Sequence, residues 1–177
     1  AIIALSLALA GILIYIAFRF EWKYAVSSVL ALLHDVLLTL AVMAIANRLG
    51  APVQINLEVI GAIMTIIGYS LNDTIIVFDR IREDLRVMRK MSFPQVINHA
   101  LNQTLSRTLM TSGTTLLVLL ALDFFAATSI FAFAFVMTVG VFLATLSSLF
   151  IASPILLWLH NREKETSRNL SVESHAG

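Results

Sequence analysis

Residues 68–84 read GYSLNDTIIVFDRIRED. The first eleven form an apolar run interrupted by Asn72 and Asp73, and five of the last six are charged. Asp73 lies six residues inside the apolar side of that boundary. A carboxylate in such a position is costly, so the reading of the whole chain turns on what surrounds it.

The 177 residues are 59% apolar and 13% charged. Soluble domains carry nearer a quarter charged residues, so the composition is that of a membrane protein. There is no cysteine, which excludes disulfides and thiolate metal sites. A bilayer core is crossed by about 20 apolar residues in a helix. Five segments qualify, at about 1–18, 24–46, 53–78, 104–122 and 129–158. The expected fold is therefore an all-α transmembrane helix bundle over residues 1–161, with a loop at 79–93 and a polar tail at 162–177. Gly50 and Pro52 mark one turn and Asp123 another, and the fifth span is long enough to tilt or to bend at Pro154. Ser92 to Gln95 fit a capping box that starts a helix leading into the fourth span. The tail is expected to be disordered.

Ten of the twelve basic residues fall in three regions, which five spans place on one side: Arg19 and Lys23, Arg80 to Lys90, and Arg162 to Arg168. The positive-inside rule makes that side cytoplasmic and puts Ala1 outside. The apolar start has no basic leader or cleavage site and does not read as a signal peptide. An outside start is expected to follow an upstream span or extracytoplasmic domain.

An ionisable residue within a span costs about 2.5–3.5 kcal/mol on insertion scales. Asp35 lies near the midplane, and Asp73 and Arg107 share a depth in the cytoplasmic half on different helices. Thr104, Thr108 and Thr111 recur beside Arg107 at helical spacing, as a wet or protein-facing stripe. Gly61, Thr65, Gly68 and Asn72 form a second stripe, of small residues that let helices approach closely. Two readings of Asp73 and Arg107 stay open: a proton relay, with Asp35 as a further candidate, or a buried structural ion pair. His34 reads as a core histidine. The basic run 82–90 reads as topology and contact with anionic lipid. No phosphate-binding glycine loop, HExxH or GxSxG is present, so the chain shows no hydrolase or ATPase machinery. Nothing points to a metal, a cofactor or nucleic acid.

GYSLNDTIIVFDRIRED at 68–84 and LNQTLSRTLMTS at 101–112 closely resemble the SecF family, one half of the bacterial SecDF protein-export complex of the resistance-nodulation-division superfamily. SSLFIASPILLW at 147–158 resembles the family's last span, and His34-Asp35 fits a further element. The resemblance implies a six-span unit in the cytoplasmic membrane, of which this chain holds five. It implies a proton path through Asp73 and Arg107 at the interface with SecD. The expected partners are SecD, the SecYEG translocon, YajC, exported preprotein and lipid. The proton gradient is the expected energy source and no enzyme activity is expected. A proton-coupled small-molecule exporter of the same superfamily and a passive membrane scaffold are the alternatives.

Overall fold

A computed structural model describes residues 22–125 and 128–176, and before them only Leu7, Ala10, Gly11 and Ile14, all four helical. The first expected span and the turn at Arg19 thus lie almost wholly outside the described residues. The rest is helix: α1 (Trp22–Arg48), α2 (Leu57–Val87), α3 (Phe93–Phe125), α4 (Thr128–Phe150) and α5 (Ala152–Ala176). No strand occurs among the described residues. The helices of Trp22–Arg48, Leu57–Val87, Phe93–Phe125 and the run Ile130–Glu165 are each long and apolar enough to cross a membrane.

Helix ends follow local chemistry. Gly50 closes α1 with φ 96°. The Ala51 N–H bonds the Ala46 carbonyl at 3.0 Å and the Gly50 N–H bonds that of Asn47 at 3.1 Å, which is a Schellman closure. Residues 51–56 are non-helical, so α2 begins later than residue 53. Asn56 caps it by accepting the Val59 N–H at 2.9 Å. At its other end α2 runs on to Val87 through residues placed in a loop by sequence. Arg80 pairs there with Glu83 and Asp84, spacings that support a helix beyond the apolar segment. The connection to α3 shrinks to residues 88–92. Its Ser92 N–H bonds Gln95 Oε1 at 3.0 Å, one arm of the capping box.

The fifth expected span is interrupted at Ile151. Pro154 has no N–H and its ring crowds the carbonyl of residue 150, so the regular ladder cannot pass this point unchanged. The helix then continues to Ala176, so the expected disordered tail is helical in the structure. It contains no proline or glycine before Gly177, and Glu163, Lys164, Glu165 and Arg168 are good helix formers. Lys23, at the start of α1, forms a salt bridge with Glu163 of α5. Phe93 stacks on His160 with centroids 3.8 Å apart.

Helices α2 and α4 make the most extensive contact in the bundle. Gly140 permits it: a Cβ built there would lie 2.5 Å from Ile66 Cγ1. Two apolar clusters fill the bundle. One, including Leu32, Phe78, Ile81, Ile97 and Leu156, sits toward the end that carries Arg80 to Lys90, here called the basic end. The other, including Met43, Val59, Ile66, Leu119 and Val136, sits toward the opposite end. Most of the buried polar residues fall between the two clusters, near positions 35–39, 70–74, 104–112 and 145–148, while Lys23, Ser27, Ser28, Asp84 and Ser153 lie in or beyond the basic-end cluster.

Candidate functional site

Asp73 lies in this polar layer and is 7% exposed. Two hydroxyls from two other helices reach it. Ser148 of α4 donates to Oδ2 at 2.5 Å, and Thr108 of α3 donates to Oδ1 at 3.1 Å. Most other hydroxyls on these helices bond their own backbone one turn back, as Thr104 does to Ala100 and Thr111 to Arg107. Thr108 does not, because its face of α3 meets the carboxylate. A hydrogen bond to a charged group contributes about 1.5–3 kcal/mol. Two of them are comparable with the transfer cost of a carboxylate within a span. The hydroxyls thus offset much of the cost of keeping Asp73 in the bundle.

A second hydroxyl cluster lies one turn away. Tyr69 of α2 bonds Ser112 of α3 at 3.0 Å, and Thr145 of α4 lies 2.8 Å from the same Ser112 oxygen. Thr145 and Ser148 are three residues apart on α4, so both clusters hang on one helical face. Hydroxyls donate and accept, so each link can reverse direction when a neighbour changes protonation.

Asp35 occupies a separate position. It is 0% exposed on α1 and accepts from Ser70 of α2 at 2.6 Å. His34 Nδ1 stands 3.2 Å from its other oxygen. Ser70 and Asp73 are one turn apart on α2, so Asp35 meets that helix one turn from Asp73 itself.

Arg107 is exposed. It lines a cleft of about 70 Å³ with Tyr69, Asn72, Asp73, Ile76, Thr108 and Thr111, room for a few waters. The described residues contain no salt bridge between Arg107 and Asp73. Thr108 faces the carboxylate from α3, and Arg107, about 100° round the helix, does not pair with it here. The structure therefore brings Asp73, Thr108 and Arg107 to one cleft while hydroxyls alone hold the carboxylate.

The Gly61, Thr65, Gly68 and Asn72 stripe points away from the other described helices. Thr65, Gly68 and Asn72 are exposed, and a Cβ at Gly61 or Gly68 would meet nothing within 4 Å. The stripe runs into the cleft at Asn72, so the Asp73 site opens on the face that carries it. Thr104 and Thr108 are buried, whereas Thr111 is exposed.

Sequence reading did not single out Ser148, Ser70 or Thr145. Serine and threonine in an apolar helix bond their own backbone by default, which gives such residues no distinguishing pattern. Asp123 was read as a turn, yet it lies in the last turn of α3, where Thr138 of α4 donates to its Oδ2 at 2.7 Å. Among the described residues no group of acidic or histidine side chains is arranged to hold a metal ion.

Apolar helices closing on a mid-bundle polar layer, with one buried carboxylate opening to a lateral face, define an all-α, multi-pass membrane protein. The chain belongs to the family of protein export membrane proteins described as SecD/SecF, C-terminal, whose model matches residues 1–162. It is 42% identical over 158 residues to the protein translocase subunit SecF of Pseudomonas aeruginosa, covering 89% of this chain and 50% of that protein. It is 43% identical over 173 residues to the fused protein translocase subunit SecDF of Brucella abortus, covering 98% of this chain and 22% of that one. A crystal structure of SecDF in a super-membrane-facing form superposes with TM-score 0.81 at 41% identity, over 91% of this chain and 21% of that one. A crystal structure of SecDF from Thermus thermophilus, described as a translocon-associated membrane protein, gives the same TM-score. The chain spans about half the length of the SecF relatives it matches, and less of the fused ones.

Proposed function

We propose that this chain is the C-terminal membrane part of a SecF-type subunit, or of the SecF half of a fused SecDF protein, that uses the proton gradient to promote preprotein export. The observation that carries the reading is the Asp73 carboxylate: buried, held only by neutral hydroxyls, and facing a water-sized cleft that it shares with Arg107. Hydroxyls that can donate or accept suit either protonation state, as a permanent ion pair would not. A conformation that brings Arg107 onto Asp73 favours the carboxylate, and one that leaves it on Ser148 and Thr108 tolerates the acid. Movement between the two is thereby linked to proton uptake and release. The energy available is about 2.3 kcal/mol per charge per 100 mV.

The open stripe supports a second membrane half as the partner. SecD, in the same chain or a separate one, packs along Gly61, Thr65, Gly68 and Asn72, covers the cleft and completes the polar path. Asp35 of α1, bonded to Ser70 one turn from Asp73, is an accessory polar site. The basic end is cytoplasmic in the bacterial inner membrane. YajC and the SecYEG translocon are the outer partners, preprotein is the cargo, and no cofactor is used. The reading is tested in inverted membrane vesicles that carry the full-length parent with Asp73→Asn. Gradient-stimulated translocation is expected to fall to the level of uncoupled wild-type vesicles, with protein level and assembly with SecD retained. Full stimulation in that variant refutes it.

A further inference from the structure

A groove on another face of the bundle plays no part in that account. It runs between the first three turns of α3 and the junction of α4 with α5, from Pro94 to Leu105 along α3. Around α3 its lining is turned roughly 100° from Arg107, Thr108 and Thr111, so the surface that opens the Asp73 cleft is not the one that carries the groove. Its walls are apolar, with Leu101, Leu105, Phe150 and Leu157 among them. Its free space, the open side included, is about 910 Å³.

Its dimensions choose between occupants. The eleven steps from Pro94 to Leu105 rise roughly 16 Å at about 1.5 Å each, close to half of the roughly 30 Å hydrocarbon core. From the level of Asn98 to Leu105 it runs roughly 10 Å, room for the upper part of one acyl chain. Its free space of about 910 Å³ over roughly 16 Å gives a mean cross-section of about 57 Å². A helix with side chains is at least about 10 Å across, or roughly 80 Å², and does not fit. A single extended hydrocarbon chain does.

The polar groups are placed for the upper part of a lipid. Ser153 lines the groove, is 1% exposed, and its hydroxyl has no hydrogen-bond partner. Ser27 and Ser28, by contrast, each bond the carbonyl four residues back. Asn98 and Asn102 add exposed amides on the α3 side. These are donors for an ester carbonyl. Lys164 follows Leu157 by two turns on the same face of α5 and is exposed at the basic end. Arg89 and Lys90 stand in the short connection just before α3.

We propose that the groove is a binding site for one anionic glycerophospholipid of the leaflet at the basic end. One acyl chain lies along Leu101, Leu105 and Phe150. An ester carbonyl accepts from Ser153 and the asparagine amides, and the phosphate end reaches Lys164.

The test uses the full-length parent reconstituted into phosphatidylethanolamine vesicles that contain phosphatidylglycerol with a photoactivatable diazirine in its acyl chain. After illumination the adducts are mapped by peptide mass spectrometry. Adducts are expected to concentrate in residues 97–105 and 149–157, above the level at the exposed Leu117, Val118 and Leu120 of α3. Leu105 is at the groove's rim, so Leu105→Trp fills the groove with little demand on the core. It is expected to bring those adducts down to the 117–120 level. Lys164→Glu is expected to lower the preference for phosphatidylglycerol over phosphatidylethanolamine about fivefold, the equivalent of about 1 kcal/mol for one basic contact. Uniform labelling of all exposed faces overturns the proposal. So does labelling that Leu105→Trp leaves unchanged, or a protein segment cross-linked into the groove in place of lipid. An unchanged headgroup preference in Lys164→Glu overturns the anionic assignment.

Discussion

Replacing Gly140 by alanine adds one methyl group at the closest approach of α4 to α2. The new Cβ would lie 2.5 Å from Ile66 Cγ1 and 3.0 Å from Cγ2. Favourable carbon contacts lie at about 3.5–4.0 Å, so α4 must retreat by roughly 1 Å. Ile66 cannot swing aside instead, because a β-branched residue in a helix has one strongly preferred χ1 rotamer and this one is buried. Overpacking of this kind costs about 1–3 kcal/mol. The displacement also has a functional reading. Ser148 lies eight residues further along α4, and a rigid shift of roughly 1 Å stretches its 2.5 Å bond to Asp73 beyond hydrogen-bonding range. Ile66→Ala alone leaves a cavity and costs about 2–5 kcal/mol. Combining the two fills that cavity with the new methyl, so the double variant is expected to lose about 0.5–3 kcal/mol less than the two losses added. Unfolding midpoints of the purified full-length parent in detergent measure all four corners of the cycle, and vesicle translocation follows the Ser148 contact. Additive losses, or a Gly140→Ala protein as stable as wild type, refute the packing argument.

Gly68→Leu gives the opposite pattern. Nothing lies within 4 Å of a Cβ there, so the isolated chain keeps its stability while co-purification with the SecD half is lost; unchanged co-purification counts against a close helix contact along the stripe. Ser148→Ala leaves Asp73 Oδ2 without a donor and is expected to cost about 1–3 kcal/mol, and Thr108→Val less because its bond is longer; both unfolding midpoints and gradient-driven translocation should follow that order. Lys23→Ala removes the salt bridge to Glu163, but Glu163 is partly exposed, so the loss should stay within about 1 kcal/mol and vanish at high salt. Cysteines placed at 49–51 should react with an impermeant reagent from outside, and those at 89 and 90 only from inside; the reverse pattern overturns the orientation.

The spans from residue 24 on were legible because hydropathy reports lipid contact directly. Asp73 was legible because a lone carboxylate in such a segment has no cheap explanation. Its partners were not. Ser148 looks like any serine in an apolar helix, and only the packing of α4 on α2 at Gly140 turns it toward Asp73. The pairing of Arg107 with Asp73 was inferred from equal depth, but depth does not fix the rotational setting of α3, and that setting gives the carboxylate Thr108 instead. The boundary at Asp79 marks a change of solvent but not the end of the helix. Arg80, Glu83 and Asp84 pair at helical spacing, so the backbone continues through it. Gly50 followed by Pro52 announced the turn in both sequence and structure, since the left-handed φ there demands glycine.

The central claim is that Asp73 exchanges a proton during the working cycle. Infrared difference spectroscopy of the reconstituted full-length parent, recorded in the carboxyl C=O stretching region as the imposed proton gradient is switched on and off, tests it most directly. The account predicts a protonated-carboxyl band that follows the gradient, is absent in Asp73→Asn, and shifts in frequency in Ser148→Ala, where a hydroxyl bond is lost. A gradient-dependent band that persists in Asp73→Asn, or a coupled wild-type protein with no such band, contradicts it.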